Sequence, residues 1–195
     1  MPPSITLTPK LAAEYEKLFG SLEFTRGPQT DRQVDKLLAS RARYEAVAQE
    51  FGMPWVFVAV VHMLEGECSF RHHLHNGDPL RARTVNVPAG RPRTGRPPFT
   101  WEASADDALR MKGLGNWRDW SVAGMLWQLE RYNGFGYRQY HQSVKSPYLW
   151  AGSQHYTRGK YVSDGKWSGT AVSQQIGAAV LLKRLIARGA WSFGK

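Results

Sequence analysis

The fold is decided by one apolar stretch, Pro54-Trp55-Val56-Phe57-Val58-Ala59-Val60-Val61-His62-Met63-Leu64-Glu65. Its apolar side chains would point in every direction around a helix, so such a helix must lie at the centre of a core. The β-branched residues would also suit a strand. We predict a helix because the run exceeds ten residues and ends in Met, Leu and Glu, which are good helix formers.

Helical spacing of apolar residues predicts further helices on both sides of this segment. They are a short helix from Thr8-Pro9 to near Gly20, a six-turn helix from Thr30 to Phe51, one from Ser104 to near Gly113, one through Val122 to Tyr132, and one from about Thr170 to Arg188. Between them, Asn76-Gly77 and the stretch 84–87 predict a small irregular β-lobe within 71–98. We therefore predict one mainly α (α+β) domain over 1–195, with N-terminal helices in 1–52 and a core region in 53–189 that holds the candidate site residues discussed below.

Composition limits the class of protein and points to an anionic partner. The 195 residues include 26 basic and 16 acidic ones, a net charge of +10, and residues 131–195 hold ten basic residues but one acidic residue. Cys68 is the only cysteine, which excludes an intramolecular disulfide and a cysteine-based zinc site. The start of the chain lacks the pattern of a secretory signal, so we expect synthesis in the cytoplasm.

Two carboxylates are the candidate catalytic groups. Glu65 ends the apolar run, where partial desolvation would raise the pKa of a carboxyl group and suit it to donate a proton to a leaving oxygen. Asp78 lies in an Asn-Gly-Asp-Pro turn that could fold back toward Glu65. A pair of this kind would suit a glycosidase, whereas an exposed Glu65 and a turn-forming Asp78 would be purely structural.

Flat rings and basic residues alternate near the C-terminus. Six of the eight tyrosines lie between Tyr132 and Tyr161. This pattern suits a sugar polymer that carries acidic groups, a single-stranded nucleic acid, or a tyrosine-rich core. A basic stretch with four prolines, 81–98, is interpreted either as a solvated loop or as a lip that faces a substrate.

Several separated motifs, in the same order, resemble phage and bacterial endolysins of the lysozyme-like superfamily. They are His62-Met63-Leu64-Glu65-Gly66-Glu67-Cys68-Ser69-Phe70, His73-Leu74-His75-Asn76-Gly77-Asp78-Pro79-Leu80, Glu130-Arg131-Tyr132-Asn133-Gly134-Phe135-Gly136-Tyr137, Ser146-Pro147-Tyr148-Leu149-Trp150-Ala151-Gly152 and His155-Tyr156-Thr157-Arg158-Gly159-Lys160-Tyr161. The resemblance covers about 54–185 and implies a lysozyme-like fold. It aligns Glu65 with the general acid of the superfamily, and the Tyr132-Asn133-Gly134 turn with a groove element of lytic transglycosylases and goose-type lysozymes.

The implied reaction is cleavage of the β-1,4 bond between N-acetylmuramic acid and N-acetylglucosamine in peptidoglycan. Asp78, or less favourably Glu67 or Glu102, would hold the water of a hydrolase. Without a second carboxylate, Glu65 would act as acid and then base, which gives the anhydro product of a lytic transglycosylase. The predicted substrate-binding residues are Tyr132, Asn133, Gly134, Tyr137, Tyr148, Trp150, His155 and Tyr156.

Three rival interpretations follow from other residues. A metal enzyme would use ligands from His62, His72, His73, His75 and Asp78, a cysteine amidase or peptidase would use Cys68, and a nucleic-acid-binding module would use the basic and aromatic residues. We favour a monomeric enzyme without metal or cofactor. Its expected partners are peptidoglycan and an anionic envelope surface rather than nucleic acid, and its expected place of action is the cell wall.

Overall fold

The computed structural model describes residues 5–163 and 165–194, and helices dominate this part of the chain. The helices are α1 (Pro9–Gly20), α2 (Gly27–Ala39), α3 (Arg41–Phe51), α4 (Trp55–Gly66), α5 (Trp101–Met111), α6 (Val122–Asn133), α7 (Gly136–Tyr140), α8 (Pro147–Trp150) and α9 (Ala178–Ala187), with a 3-10 turn at Leu114–Asn116. Strands β1 (Lys160–Ser163) and β2 (Lys166–Ser168) form an antiparallel hairpin. The predicted mainly α class with a small hairpin is confirmed.

The chain divides into two compact units. One comprises Met1–Val34 with Asp119–Lys195 and is called here the terminal unit, and the other, Asp35–Arg118, is called the central unit. Each is described by itself, and the single domain over 1–195 stays a prediction. Of the described helices, none alone is long and apolar enough to cross a membrane, and α3 with α4 meets that requirement only jointly, across a bend of 116°.

Helix α4 forms the core of the central unit. All ten residues from Trp55 to Leu64 are buried, so the predicted helix and its central position are confirmed. Helix α3 packs along α4, and α5 packs against α3. Burial of a large apolar side chain stabilises a fold by about 1.5–3 kcal/mol, so α4 contributes strongly to the stability of its unit.

The helix predicted from Thr30 to Phe51 is in fact two helices, so the prediction of one continuous helix is wrong. Helix α2 ends at Ala39 and α3 begins at Arg41, with Ser40 as the residue between them. The amide of Ser40 bonds the carbonyl of Leu37, three residues back, so the α-helical hydrogen-bond pattern stops there. Apolar spacing continues across the break, which is why the sequence did not reveal it.

The β structure lies elsewhere than predicted. Within 71–98 the structure has no paired strands and only an isolated bridge between His72 and Pro79, whereas the hairpin falls at 160–168 in the terminal unit. Four prolines in 81–98 remove backbone donors, and the amides of Val85, Asn86 and Arg91 bond side chains instead of a neighbouring strand. The hairpin residues Tyr161 and Trp167 form a cross-strand aromatic pair of the kind that stabilises sheets.

Three helix starts also differ from prediction. Helix α2 begins at Gly27 rather than at Thr30, whose hydroxyl donates to the carbonyl of Arg26. Helix α5 begins at Trp101 because the Thr100 hydroxyl accepts a hydrogen bond from the amide of Ala103 at 3.1 Å. Helix α9 begins at Ala178 rather than near Thr170. The amide of Ser173 is held by the Tyr156 hydroxyl at 3.0 Å, so the chain before α9 is bonded outside any helix.

In the terminal unit, α1 packs on α6, and α8 and α9 pack on each other and on α6. Helix α1 begins as predicted, with the Thr8 hydroxyl accepting from the amide of Leu11 at 3.2 Å and Pro9 in the first turn. A buried polar contact joins α1 to α6, since the Tyr15 hydroxyl donates to the Glu130 carboxylate. This packing holds the end of α6, where Asn133 lies, in place.

Candidate functional site

Glu65 lies where helix α4 leaves the core of the central unit. Every residue of α4 before it is buried, and Glu65 itself is half-buried, while Glu67 is exposed. The position therefore combines a fixed backbone with access to solvent. A carboxylate that must meet an external substrate needs both properties.

An unusual turn follows Glu65. Glu67 and Cys68 have φ angles of 51° and 61°, and they are the only non-glycine residues with left-handed backbone in the described ranges 5–163 and 165–194. The amides of Glu67 and Cys68 bond the carbonyls of Met63 and His62, so the turn closes the end of α4. Such conformations cost of order 1–3 kcal/mol each, and they concentrate at functional sites.

Hydrogen bonds of the buried His62 side chain link this turn to helix α3. His62 Nε2 donates to the Ser69 carbonyl at 3.2 Å, and His62 Nδ1 accepts from the Tyr44 hydroxyl at 3.0 Å. Burial lowers the pKa of His62 to about 4, so this imidazole is neutral at pH 7. Burial also raises the pKa of the Cys68 thiol, which does not favour the rival interpretation of Cys68 as a nucleophile.

The Asn-Gly-Asp-Pro turn does fold back toward α4. An added Cβ at Gly77 would lie 3.7 Å from the carbonyl oxygen of Glu65. With φ at 79°, Gly77 takes a backbone conformation that suits glycine. The turn thus lies beside the backbone of Glu65, as the sequence predicted.

The carboxylate of Asp78 is engaged with its own loop. Its Oδ2 accepts from the amides of Val85 and Asn86 at 2.8 and 2.9 Å and from Asn76 Nδ2 at 3.1 Å, and its Oδ1 accepts from Asn86 Nδ2 at 2.6 Å. The bonds from Asn86 are the main cause that lowers the pKa of Asp78. Asp78 therefore organises the loop, and its role as second carboxylate stays a prediction.

The minor carboxylate candidates differ from Asp78. Glu102 pairs with Arg43 at 2.7 Å on the surface of the central unit. Glu67 is exposed at the left-handed turn. The role of either residue as the second carboxylate stays a prediction.

Besides His62, two more of the histidines considered as metal ligands bind partners in the central unit. His73 donates to the Ala82 carbonyl and accepts from Ser104, and His75 contacts Asp107 at 2.8 Å. Burial lowers the pKa of His75. Within 5–163 and 165–194, no three His, Cys, Asp or Glu side chains converge as a metal ion would require.

A pocket of about 340 Å³ lies in the terminal unit and collects half of the predicted substrate-binding residues. Asn133, Gly134, Tyr137 and Tyr148 all line it. The other lining residues are Gly136, Pro147, Lys160, Tyr161, Ser173 and Gln175. The end of α6, helices α7 and α8 and strand β1 thus supply a wall of rings, amides and one cation.

The wall of this pocket is stiffened by ring contacts. Tyr137 and Tyr161 meet edge to face with centroids 5.5 Å apart, and Trp167 contacts both rings. His141 stacks on Trp167. The amide of Tyr161 donates to the Tyr137 hydroxyl at 3.4 Å, which links the hairpin to α7.

The other predicted substrate-binding residues lie elsewhere in the terminal unit. Trp150 is 1% exposed and belongs mainly to the core, and Tyr132 is buried at the end of α6. His155 and Tyr156 line a second pocket of about 350 Å³. The pocket at Asn133 is therefore the more specific candidate for ligand binding.

Glu130, which is not among the predicted site residues, lines a third pocket of about 250 Å³. Its side chain is 3% exposed and pairs with Arg138 at 2.7 Å. Burial raises the pKa of Glu130. The signal was present, because Glu130 lies four residues after Leu126 on the buried stripe of α6.

Comparisons with known proteins identify no family for this chain. No family model, no curated protein and no solved structure matches the chain.

Proposed function

We propose that this protein is a peptidoglycan glycosidase that cleaves the β-1,4 bond between N-acetylmuramic acid and N-acetylglucosamine, with Glu65 as the general acid. The observation that carries the proposal is the position of Glu65, half-buried at the end of a wholly buried helix. Such a carboxyl group can donate a proton to the bridging oxygen as the sugar ring develops positive charge.

The pocket at Asn133 supports a sugar ligand. Tyrosine rings pack on the apolar faces of pyranose rings, and amide groups bond hydroxyl and acetamide groups. Exposed Asn133 and half-buried Tyr161 offer these groups on one wall, and the rings of Tyr137 and Tyr148, which are 7% and 6% exposed, lie behind them. Lys160 adds a cation suited to the carboxylates of the wall polymer.

The state of Asp78 favours a second outcome, the anhydro product of a lytic transglycosylase. Four donors occupy its carboxylate, so it is poorly placed to activate a water. Glu65 would then take back a proton from the 6-hydroxyl of the muramic acid, and that oxygen would close the anhydro ring. No water enters this product.

Digestion of purified peptidoglycan in ¹⁸O-labelled water tests both points in one assay. Wild type is compared with Glu65→Gln and with Glu50→Gln, which neutralises an exposed carboxylate of helix α3. We expect glycan cleavage by wild type and Glu50→Gln, and at least 100-fold slower cleavage by Glu65→Gln. One ¹⁸O at new reducing ends means a hydrolase, and unlabelled anhydro ends mean a transglycosylase. Intact glycan strands with wild type would refute the proposal.

A further inference from the structure

The loop 81–96 of the central unit is built rigidly although it has no regular secondary structure. Thr84 is its hub, since its amide donates to the Arg91 carbonyl at 2.8 Å and its hydroxyl accepts from the Arg91 amide at 2.9 Å. The amide of Gly90 donates to the Thr84 carbonyl at 2.7 Å. Together with the three bonds that Val85 and Asn86 donate to Asp78, these contacts order the loop in the absence of a partner.

The fixed loop presents apolar side chains to solvent. Val85 is 78% exposed and Val87 is 90% exposed, the highest values among the large exposed hydrophobic residues of the described chain. Their exposure is imposed, because the amides of Val85 and its neighbour Asn86 are tied to Asp78. A soluble protein gains nothing from holding two aliphatic side chains in water, so a contact surface is indicated.

The same loop carries exposed cations that have no acidic partner among the described residues. In the described part of the chain, no carboxylate forms an ion pair with Arg81, Arg93 or Arg96. Arg91 is the exception, at 3.4 Å from Asp107. Residues 81–98 contain no acidic residue at all. The surface therefore matches a partner that carries several negative charges.

We infer that loop 81–96 is a preformed lip that binds the carboxylate-bearing peptide stems of peptidoglycan, with Asp78 as its positioning residue. The inference rests on the proposed function for the identity of this ligand. Arg81, Arg93 and Arg96 contact the carboxylates, and Val85 and Val87 cover the aliphatic parts of the stem. A loop that is already ordered loses little conformational freedom on binding.

The composition of the lip favours this partner over two others. Two valine side chains offer far less apolar area than one myristoyl chain, which by itself holds a protein only marginally on a bilayer. Residues 81–98 contain no aromatic side chain on which bases of a single-stranded nucleic acid would stack. A peptide that combines carboxylates with short aliphatic groups needs neither feature.

Sedimentation with insoluble peptidoglycan tests the lip without digestion. All proteins carry Glu65→Gln, which leaves the polymer intact. One variant adds Arg81→Gln, Arg93→Gln and Arg96→Gln, and its control adds Lys10→Gln, Lys17→Gln and Lys166→Gln, the same loss of charge elsewhere. We expect the arginine variant to bind at least tenfold more weakly and with a flatter dependence on salt, and the control to change less than threefold.

Two further arms identify the ligand and the role of Asp78. Peptidoglycan whose peptide carboxylates have been amidated is expected to bind the Glu65→Gln protein as weakly as native peptidoglycan binds the arginine variant. Asp78→Asn is expected to weaken binding and to speed hydrogen exchange at the amides of Val85 and Asn86, while helical circular dichroism stays unchanged. Faster exchange with unchanged affinity would refute the positioning role.

Other results would overturn the inference. Equal losses in the arginine variant and the lysine control would mean general charge attraction. Tighter binding to anionic phospholipid vesicles, or to single-stranded DNA, than to peptidoglycan would assign the lip to that partner. Because binding is measured with Glu65→Gln, the lip can fail while wild type still cleaves glycan, and it can hold while cleavage fails.

Discussion

Acid should weaken the fold through one buried histidine, His62 of helix α4. Its ordinary pKa of 6.5 falls to about 4 in the folded protein, mainly because burial disfavours the charged imidazole. The Ser69 carbonyl and Glu102 oppose the shift, and Arg43 adds to it. His62 therefore binds a proton near pH 6.5 in the unfolded chain but only near pH 4 in the folded protein.

The sign and size of the effect follow from this difference. Between pH 6.5 and 4 the unfolded state holds more protons, so the free energy of unfolding decreases as the pH falls. A shift of about 2.5 units corresponds to about 3 kcal/mol by pH 4. That loss is a substantial part of the 5–15 kcal/mol typical of a folded protein.

Urea unfolding of wild type and His62→Gln at pH 7, 6, 5 and 4 measures this contribution. The variant loses hydrogen bonds and is expected to be less stable at pH 7. Its disadvantage should shrink by about 3 kcal/mol at pH 4, because other titrating groups cancel in the comparison. Parallel curves would refute the reasoning, and so would an NMR titration that gives the His62 imidazole a pKa near 6.5.

Four further predictions concern separate features of the chain. Phe57→Ala in α4 should lower the free energy of unfolding by about 3–5 kcal/mol in urea titrations, because its side chain is fully buried. Glu130→Ala should cost about 3–5 kcal/mol, since Arg138 loses its buried partner, and a loss as small as that of an exposed Glu16→Ala would contradict the pairing. Gly77→Ala should lower the stability by about 1 kcal/mol because of its positive φ, and an unchanged melting temperature would argue against that backbone. Cys68 should react with a disulfide reagent at pH 7 more slowly than a model thiol, because burial raises its pKa, and rapid labelling of the native protein would contradict this.

The sequence predicted the parts of the fold that depend on local chemistry. Helix α4 was predictable because no strand of ordinary length holds so long an apolar run. The start of α1 was predictable because Thr8 and Pro9 combine a side-chain cap with a proline in the first turn. The break at Ser40 was not, because the apolar spacing of α2 continues into α3.

Tertiary contacts explain the other differences. The alternation at Thr84-Val85-Asn86-Val87 is typical of a strand, but the amides of Val85 and Asn86 bond Asp78 instead of a neighbouring strand. The conformation of this stretch is thus determined by Asp78, which lies seven and eight residues before the two amides that it binds. The sequence pattern does not predict the hairpin at 160–168, because its strands are only four and three residues long.

The candidate site was partly predictable in the same sense. The motif resemblance grouped Asn133, Gly134, Tyr137 and Tyr148, which share one pocket. It also included Trp150, whose ring is in the core. Aromatic side chains serve packing and sugar binding equally well, so residue type alone does not separate the two roles.

The most direct test of the central claim is the rate at which Glu65→Gln releases soluble fragments from purified peptidoglycan, relative to wild type and Glu50→Gln. Loss of a general acid lowers rates by about 100-fold to 10,000-fold. We predict a decrease in this range for Glu65→Gln, with unchanged circular dichroism, and a rate within about threefold of wild type for the exposed Glu50→Gln. A Glu65→Gln protein that is folded and as active as wild type would contradict the account.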